Sequence, residues 1–340
     1  MINPRTTIVR SVSPEHPEPD VIAEAAAALR QGKLVAFPTE TVYGLGASAL
    51  EEAAVAAIFA AKGRPSHNPL IVHVADMAAA QRLAVGWTEN AARLAEHFWP
   101  GSLTVVLPKR PEVPDVVTAG GPTVGLRVPA HPVALALLQA AAIPIAAPSA
   151  NRSSSVSPTT AAHVLRGLEG QIDIVLDAGP TPGGLESTVL DLTVDPPRLL
   201  RPGLVSVAQL ESVLGLVSAD QCGPKPTGEA LRSPGLLERH YAPRARLFLT
   251  DHAGHSVGHL LEGVKAVGWL RLAPGASPTR QIRGLRIIEM PNDPTAYAAR
   301  LYAALHELDE AGVDWILVDM PPSGDSWMAV HDRLRRAAQS

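Results

Sequence analysis

Over its first two hundred residues the chain spells more short strand-like runs than helices, and this imbalance constrains the fold more than any other feature. Apolar, β-branched runs recur at 34–37, 70–74, 103–107, 124–128, 143–147, 172–176 and 188–192. Helical patterns occupy 20–31, with Asp20 as N-cap and Gly32 as stop, and 51–62, ending at Gly63. A purely parallel sheet needs a crossover helix for each added strand. Strand-rich spacing, with short links such as 108–123, therefore predicts an α/β domain with a mixed, twisted sheet and flanking helices.

A chain of 340 residues, 46% of them hydrophobic, is long enough to bury two cores. Residues 1–217 form the expected first domain and 218–244 an interdomain linker, because from Ser218 to Pro234 the composition turns to Gly, Pro and polar residues without periodicity. Residues 245–340 then read as a smaller Rossmann-like α/β domain. Its pattern is strand 246–250, a helical stretch near 257–263, strands 266–272 and 285–289, helix 295–311 capped by Asp293 with Pro294 in its first turn, strand 315–318, and a final helix to about Ala338.

Charge and cysteine content narrow the class. The net charge of −4 and pI of about 6.3 argue against tight independent binding of nucleic acid, although a local basic cleft is compatible with them. The lone Cys222 forms no internal disulfide and has no partner pattern of a nucleophile. Neither a signal-peptide pattern nor a membrane-length apolar run is present, since 134–147 is broken by Gln139 and Pro144. The expectation is a soluble cytoplasmic protein.

Two constellations carry chemistry. Lys62 and Arg64 stand one residue apart at the end of a helix, followed by Asn68-Pro69 and a strand in which Ile71 and His73 share a face. Pro148-Ser149-Ala150-Asn151 follows an apolar strand, where α/β folds bind ligands. Together they can hold an oligophosphate. Each half alone has an ordinary structural reading: cations complement the dipole of a helix C-terminus, Ser and Asn are turn residues, and a buried histidine is commonly structural. Ser157 to Thr160 can cap the helix beginning near Thr159, bind an anion, or do both. Arg127 and Arg201 lie within or just after short apolar runs.

Other nucleotide motifs fail. Gly44-Leu45-Gly46-Ala47-Ser48-Ala49 superficially fits a dinucleotide fingerprint, but the required acid about 20 residues on is replaced by Arg64 and Asn68. No P-loop pattern occurs, and no His, Cys or carboxylate spacing suggests a protein-held transition metal.

The order of Pro38-Thr39-Glu40-Thr41, Lys62-x-Arg64, Ser149-x-Asn151, Glu186-Ser187-Thr188 and Leu200-Arg201-Pro202-Gly203 resembles the YrdC-like threonylcarbamoyl-AMP synthases over about 34–203. The run from Ser233 to Pro243 resembles the linker of their long form, with an additional C-terminal domain. Leu237 and Glu238 depart from the basic and aromatic residues common there, whereas Arg239, His240 and Tyr241 are retained.

The resemblance implies that L-threonine, bicarbonate or CO₂ and ATP are joined into threonylcarbamoyl-adenylate with release of pyrophosphate. A downstream transferase complex then modifies tRNA beside the anticodon. It assigns Lys62, Arg64, Ser149 and Asn151 to catalysis and Lys62, Arg64, Asn68, Thr123, Ser149, Ser157, Arg201 and Tyr241 to ATP. Thr39, His73, Arg127 and Ser187 are assigned to threonine. Mg²⁺ is expected to arrive with the nucleotide, and tRNA to bind weakly or indirectly. The rival readings are a carbamoyl-adenylate-forming enzyme with another acceptor and a non-catalytic RNA-binding module, the latter disfavoured by an aromatic content of 4%.

Overall fold

The computed structural model describes residues 6–219, 240–250, 266–273 and 284–338. The chain divides into two compact units, one of Met1–Ser153 and Ser157–Leu236, the other of Ser154–Val156 and Leu237–Ser340.

In the first unit, strands β1 (Ile8–Ser11), β2 (Val35–Phe37), β3 (Gly44–Ser48), β4 (Ile71–His73), β5 (Leu103–Pro108), β6 (Thr123–Arg127), β7 (Ile145–Ala146), β8 (Ile174–Asp177), β9 (Thr188–Asp191) and β10 (Arg198–Arg201) form one sheet in the order β1-β8-β2-β3-β7-β4-β6-β5-β9-β10. Pairs β2/β3, β3/β7, β4/β7, β5/β6 and β9/β10 are antiparallel, and β1/β8, β2/β8, β4/β6 and β5/β9 parallel. The sheet is mixed, as the strand-rich pattern requires. Helices α1 (Pro19–Arg30), α2 (Glu52–Lys62), α3 (Met77–Gln81), α4 (Glu89–Phe98), α5 (Asp115–Thr118), α6 (Pro132–Ala141), α7 (Ala161–Leu168) and α8 (Val207–Leu214) accompany it.

Strand β3 occupies the stretch that resembles a dinucleotide fingerprint. It is an extended, wholly buried strand rather than a turn opening a helix, because Gly46 lets it lie against its neighbours: a Cβ there would sit 2.8 Å from both Phe37 and Ile145. Phe37 and Ile145, fully buried, share a core with Leu29 of α1 and Leu137 of α6. Each such side chain contributes about 1.5–3 kcal/mol by leaving water.

Three helix ends show how local sequence sets the path of the chain. Helix α2 stops at Gly63, whose φ of 60° is left-handed, so the chain turns sharply after Lys62. Helix α1 corrects the assignment of Asp20 as N-cap: Glu18 holds that position, Pro19 opens the helix, and Asp20 lies in its first turn. At α7 the cap is Thr160, whose hydroxyl accepts from the His163 N–H, leaving Ser157 for another partner.

In the second unit, β11 (Arg246–Thr250), β12 (Val267–Leu272), β13 (Leu285–Met290) and β14 (Trp315–Asp319) pair in parallel in the order β11-β14-β12-β13, with α9 (Pro294–Glu310) and α10 (Met328–Ala338). Asp293 caps α9 by accepting from the Ala296 N–H, and Pro294 opens it. The expected helix at 257–263, Cys222, and most of 218–244, including Leu237, Glu238 and Arg239, lie outside the described residues. Among the described residues no helix is long and apolar enough to cross a membrane.

Candidate active site

Lys62, at the end of α2, reaches the loop that follows β7. Its ammonium donates to the carbonyl oxygens of Ser149 (2.6 Å) and Asn151 (2.5 Å), with Asn151 Oδ1 at 3.5 Å, while the Lys62 carbonyl accepts from the Ser153 N–H. The side chain is buried and makes no ion pair with a described residue. Burial, and then the neighbouring Arg64 charge, lower its affinity for the proton well below the ordinary lysine range. The two short carbonyl contacts act in the opposite sense and favour the ammonium. A buried cation held by neutral oxygens is an attractive place for an anion.

Arg64 turns back on its own loop. Its Nε donates to the Asn68 carbonyl at 3.0 Å and Nη2 to that of Pro69 at 2.8 Å, fixing the entry to β4. Asn68 is fully buried, and neither its Oδ1 nor its Nδ2 has a hydrogen-bond partner among the described residues. An orphaned amide at this position fits contact with a polar ligand. Ser149 and Asn151 face one another, the serine hydroxyl donating to Asn151 Oδ1 at 2.5 Å.

A second group forms where β4, β6 and the loop after β2 meet. Strand register sets His73 beside Arg127. Arg127 donates from Nε to the Gly101 carbonyl (3.0 Å), and from Nη2 to Glu40 Oε1 (2.5 Å) and Thr41 Oγ1 (3.1 Å). Three of its five N–H groups are thereby committed, and Nη1 retains two for a ligand. Thr39 donates its hydroxyl proton to the Val42 carbonyl at 2.6 Å and lies 2.7 Å from the Thr41 hydroxyl. With that proton spent, Thr39 accepts from Thr41, so its methyl is the part left for recognition.

His73 ends β4, in register with Arg127 of β6. Burial, followed by repulsion from Arg127, pushes its imidazole down to about 3, against the opposing influence of the backbone at Ile71 and Ile145. It is neutral near pH 7, and its buried Nδ1 has no hydrogen-bond partner among the described residues.

The third group belongs to β9 and β10. Arg201 donates from Nε to the Ser187 carbonyl (3.0 Å) and from Nη2 to its hydroxyl (3.1 Å), and that hydroxyl lies 2.8 Å from Thr104 Oγ1. Ser157 donates to Glu186 Oε1 at 2.5 Å. Gly203 is dictated by close approach: a Cβ would lie 2.3 Å from the Thr188 N and 2.7 Å from the Glu186 carbonyl oxygen.

Thr123 opens β6, opposite Pro108, at the other end of the strand from Arg127. Tyr241 belongs to the second unit. It is buried with φ of 60°, its ring 5.0 Å from the Arg333 guanidinium and 5.8 Å from the ring of Tyr302.

Two family models cover this chain. The Sua5/YciO/YrdC model, described as telomere recombination, matches residues 27–203, and the threonylcarbamoyl-AMP synthase C-terminal domain matches 205–339. The chain belongs to the Sua5/YciO/YrdC family, in its long form. Similar curated proteins of the family include the threonylcarbamoyl-AMP synthase of Bacillus subtilis, 43% identical over 93% of this chain and 92% of the relative. That of Pyrococcus abyssi is 42% identical over 92% of this chain and 93% of the relative. A crystal structure of P. abyssi Sua5 complexed with L-threonine aligns with a TM-score of 0.89 at 42% identity, covering 97% of each chain.

Glu40 and Glu186 also belong to these clusters, and the sequence alone assigns them no role. Their importance comes from partners 87 and 29 residues away, Arg127 and Ser157. The signal the sequence offers is a carboxylate among hydroxyl residues, in a chain whose Arg127 sits in a short apolar run and needs a partner there.

Proposed function

We propose that the protein is an L-threonylcarbamoyladenylate synthase, making threonylcarbamoyl-AMP and pyrophosphate for threonylcarbamoyl-adenosine modification of tRNA. The observation that carries this reading is near full-length likeness to curated threonylcarbamoyl-AMP synthases at 42–43% identity. The site chemistry agrees with it. Threonine's amine adds to CO₂ with loss of a proton, forming a carbamate; a carbamate oxygen then bonds to the α-phosphorus of ATP as the bond to the β-phosphate bridging oxygen breaks. No protein nucleophile is needed. Positioning and neutralisation of charge dominate, and the residues present are suited to both.

In this reading Lys62, Arg64 and Arg201 offset charge on the triphosphate, with Asn68, Ser149 and Ser157 as polar contacts and Thr123 toward the rest of the nucleotide. Lys62 keeps its two carbonyl bonds and turns its third, loosely held N–H to phosphate. Arg127 takes the threonine carboxylate through Nη1, since Nε and Nη2 are committed. Ser187 and neutral His73 complete the amino-acid side with Thr39. Tyr241 is assigned to the nucleotide by family resemblance. A solved P. abyssi Sua5 variant carries alanines in place of an adjacent His–Tyr pair, and this chain contains one such pair, His240-Tyr241.

Mg²⁺ would accompany ATP. Among the described residues no three His, Cys, Asp or Glu side chains converge as a metal site, so phosphate and water oxygens would supply most of its ligands. The product passes to a cytoplasmic transferase complex that modifies tRNA. Pyrophosphate release from ATP with threonine and bicarbonate, each omitted in turn, and with carbamoyl phosphate replacing both, tests the assignment: release that needs both threonine and bicarbonate supports it, release only with carbamoyl phosphate identifies a carbamoyl-adenylate enzyme instead, and no release points to a binding module.

A further inference from the structure

We propose that Glu40 is a positioning residue for capture of the substrate carboxylate: it holds the Arg127 guanidinium so that only the Nη1 edge faces the amino acid. The inference rests on the assignment of Arg127 to threonine. The question it answers is why a buried arginine meant for a substrate anion already carries a carboxylate partner. Glu40 could be a stand-in that the substrate displaces, or a fixed part of the arginine's mounting. The geometry favours the mounting.

Glu40 is tied at both ends. Its Oε1 accepts from Arg127 Nη2 at 2.5 Å, and Oε2 accepts from the Ala130 N–H at 3.0 Å, so the carboxylate bridges the loop after β2 to the loop after β6. Its backbone is held as well: the Glu40 carbonyl accepts from the Gly183 N–H at 2.9 Å and that of Thr41 from the Gly184 N–H at 3.0 Å. Gly183 packs so closely that an added Cβ would lie 2.5 Å from the Glu40 carbonyl oxygen. A side chain anchored through both carboxylate oxygens, on a backbone with no room to shift, is not built to swing away.

Arg127 is correspondingly fixed in rotation. Nε is on Gly101 and Nη2 is shared between Glu40 and Thr41, which leaves the guanidinium plane no freedom and directs Nη1 alone to an incoming carboxylate. Thr41 continues the network to Thr39, so the same bridge orients the hydroxyl pair beside the substrate. Glu40 thus acts through Arg127 and touches no reacting atom.

The test uses the full-length protein and Glu40→Gln, which preserves shape and an acceptor for Ala130 but removes the charge. Threonine affinity by calorimetry and the steady-state KM for threonine and ATP are measured together. The expected result is a rise in threonine Kd and KM of about tenfold, with ATP KM and kcat within about twofold. In an Arg127→Gln background, Glu40→Gln should add less than about twofold to threonine Kd. Unchanged or tighter threonine binding in Glu40→Gln overturns the proposal, tighter binding identifying a displaceable stand-in. Equal losses for threonine and ATP, or full additivity with Arg127→Gln, also overturn it by showing a general structural role. Failure of the unaltered protein to make threonylcarbamoyl-adenylate is a separate outcome that refutes the functional reading itself.

Discussion

The Lys62 ammonium bridges the carbonyl oxygens of Ser149 and Asn151, so the lysine at the end of α2 also builds the loop after β7. A cation assigned to phosphate therefore has a structural duty, and removing it leaves two acceptors without their donor.

Lys62→Ala should lower adenylate formation by on the order of a hundredfold or more, while threonine affinity stays within about twofold. Loss of the carbonyl bonds should also cost about 1–3 kcal/mol of stability. Arg64→Ala should show the same substrate pattern, and Arg127→Ala the reverse, weakening threonine first. Calorimetry showing Lys62→Ala without threonine binding but with ATP affinity intact would make the assignment wrong.

His73 predicts an acid-sensitive fold. Its proton is bound near pH 6.5 in the unfolded chain but only near pH 3 in the folded one. Between those values the unfolded state binds more protons, so stability falls as pH falls, by about 1.4 kcal/mol per pH unit within the window. His131, also lowered by burial, adds in the same sense, with Glu40 opposing. Urea unfolding at pH 6.5 and 4.5 should show a loss in the unaltered protein that exceeds the loss in His73→Gln by about 2 kcal/mol. Equal losses would mean that His73 is not buried neutral.

Threonine should be preferred to serine by roughly 10–200-fold in kcat/KM, the worth of one methyl in an apolar niche. The niche is assigned to Thr39 and the face shared by Ile71 and His73. Because the Thr39 hydroxyl is spent on Val42 and Thr41, Thr39→Ser should keep the network and reduce the discrimination several-fold, a modest fraction of that methyl's worth. Comparable kcat/KM for serine and threonine in the unaltered protein would remove the niche.

What was legible in the sequence followed local patterning. Seven strand-like runs of the first unit and the cap at Asp293 correspond to β2, β4 to β9 and α9, since periodicity and capping act within a few residues. Strand β3 was hidden because Gly44-Leu45-Gly46-Ala47-Ser48 has no β-branched residue; its extended state comes from burial between β2 and β7. Helix α6, Pro132–Ala141, overlaps the apolar run 134–147, where strand and buried helix look alike. At the candidate site, the order and spacing of Lys62, Arg64, Ser149 and Asn151 single them out in the sequence, and the structure brings Lys62, Ser149 and Asn151 into contact. The role of Glu40 was not legible, because it depends on Arg127 arriving from another strand.

The isolated protein should bind unmodified tRNA weakly, with the interaction lost between low and physiological salt, because a net charge of −4 supplies no general attraction to a polyanion. Filter binding at several salt concentrations checks this. Salt-resistant submicromolar binding would contradict it.

Cutting the chain tests how much of the function lies in the first unit, and the structure moves the best cut. Ser218 accepts from the Leu199 N–H and donates to the Pro197 carbonyl at the sheet edge, so a chain ending at Val217 loses an edge pairing that one ending at Ala219 keeps. The chain of residues 1–219 retains all ten strands and α1 to α8, and should fold with a cooperative transition. It should make threonylcarbamoyl-adenylate slowly, because a free carbamate sheds CO₂ in water, and lose it quickly, because residues 220–244 of the expected linker are gone. Tyr241 is the residue to examine in the full chain. Its ring, beneath the Arg333 guanidinium and beside Tyr302, has a packing role that Tyr241→Phe preserves while deleting the hydroxyl. If the hydroxyl serves the nucleotide, Tyr241→Phe should raise ATP KM and speed loss of the adenylate at unchanged melting temperature. Wild-type kinetics in Tyr241→Phe, together with full activity and product retention in the 1–219 chain, would reduce Tyr241 to a packing residue and make the second unit dispensable for synthesis.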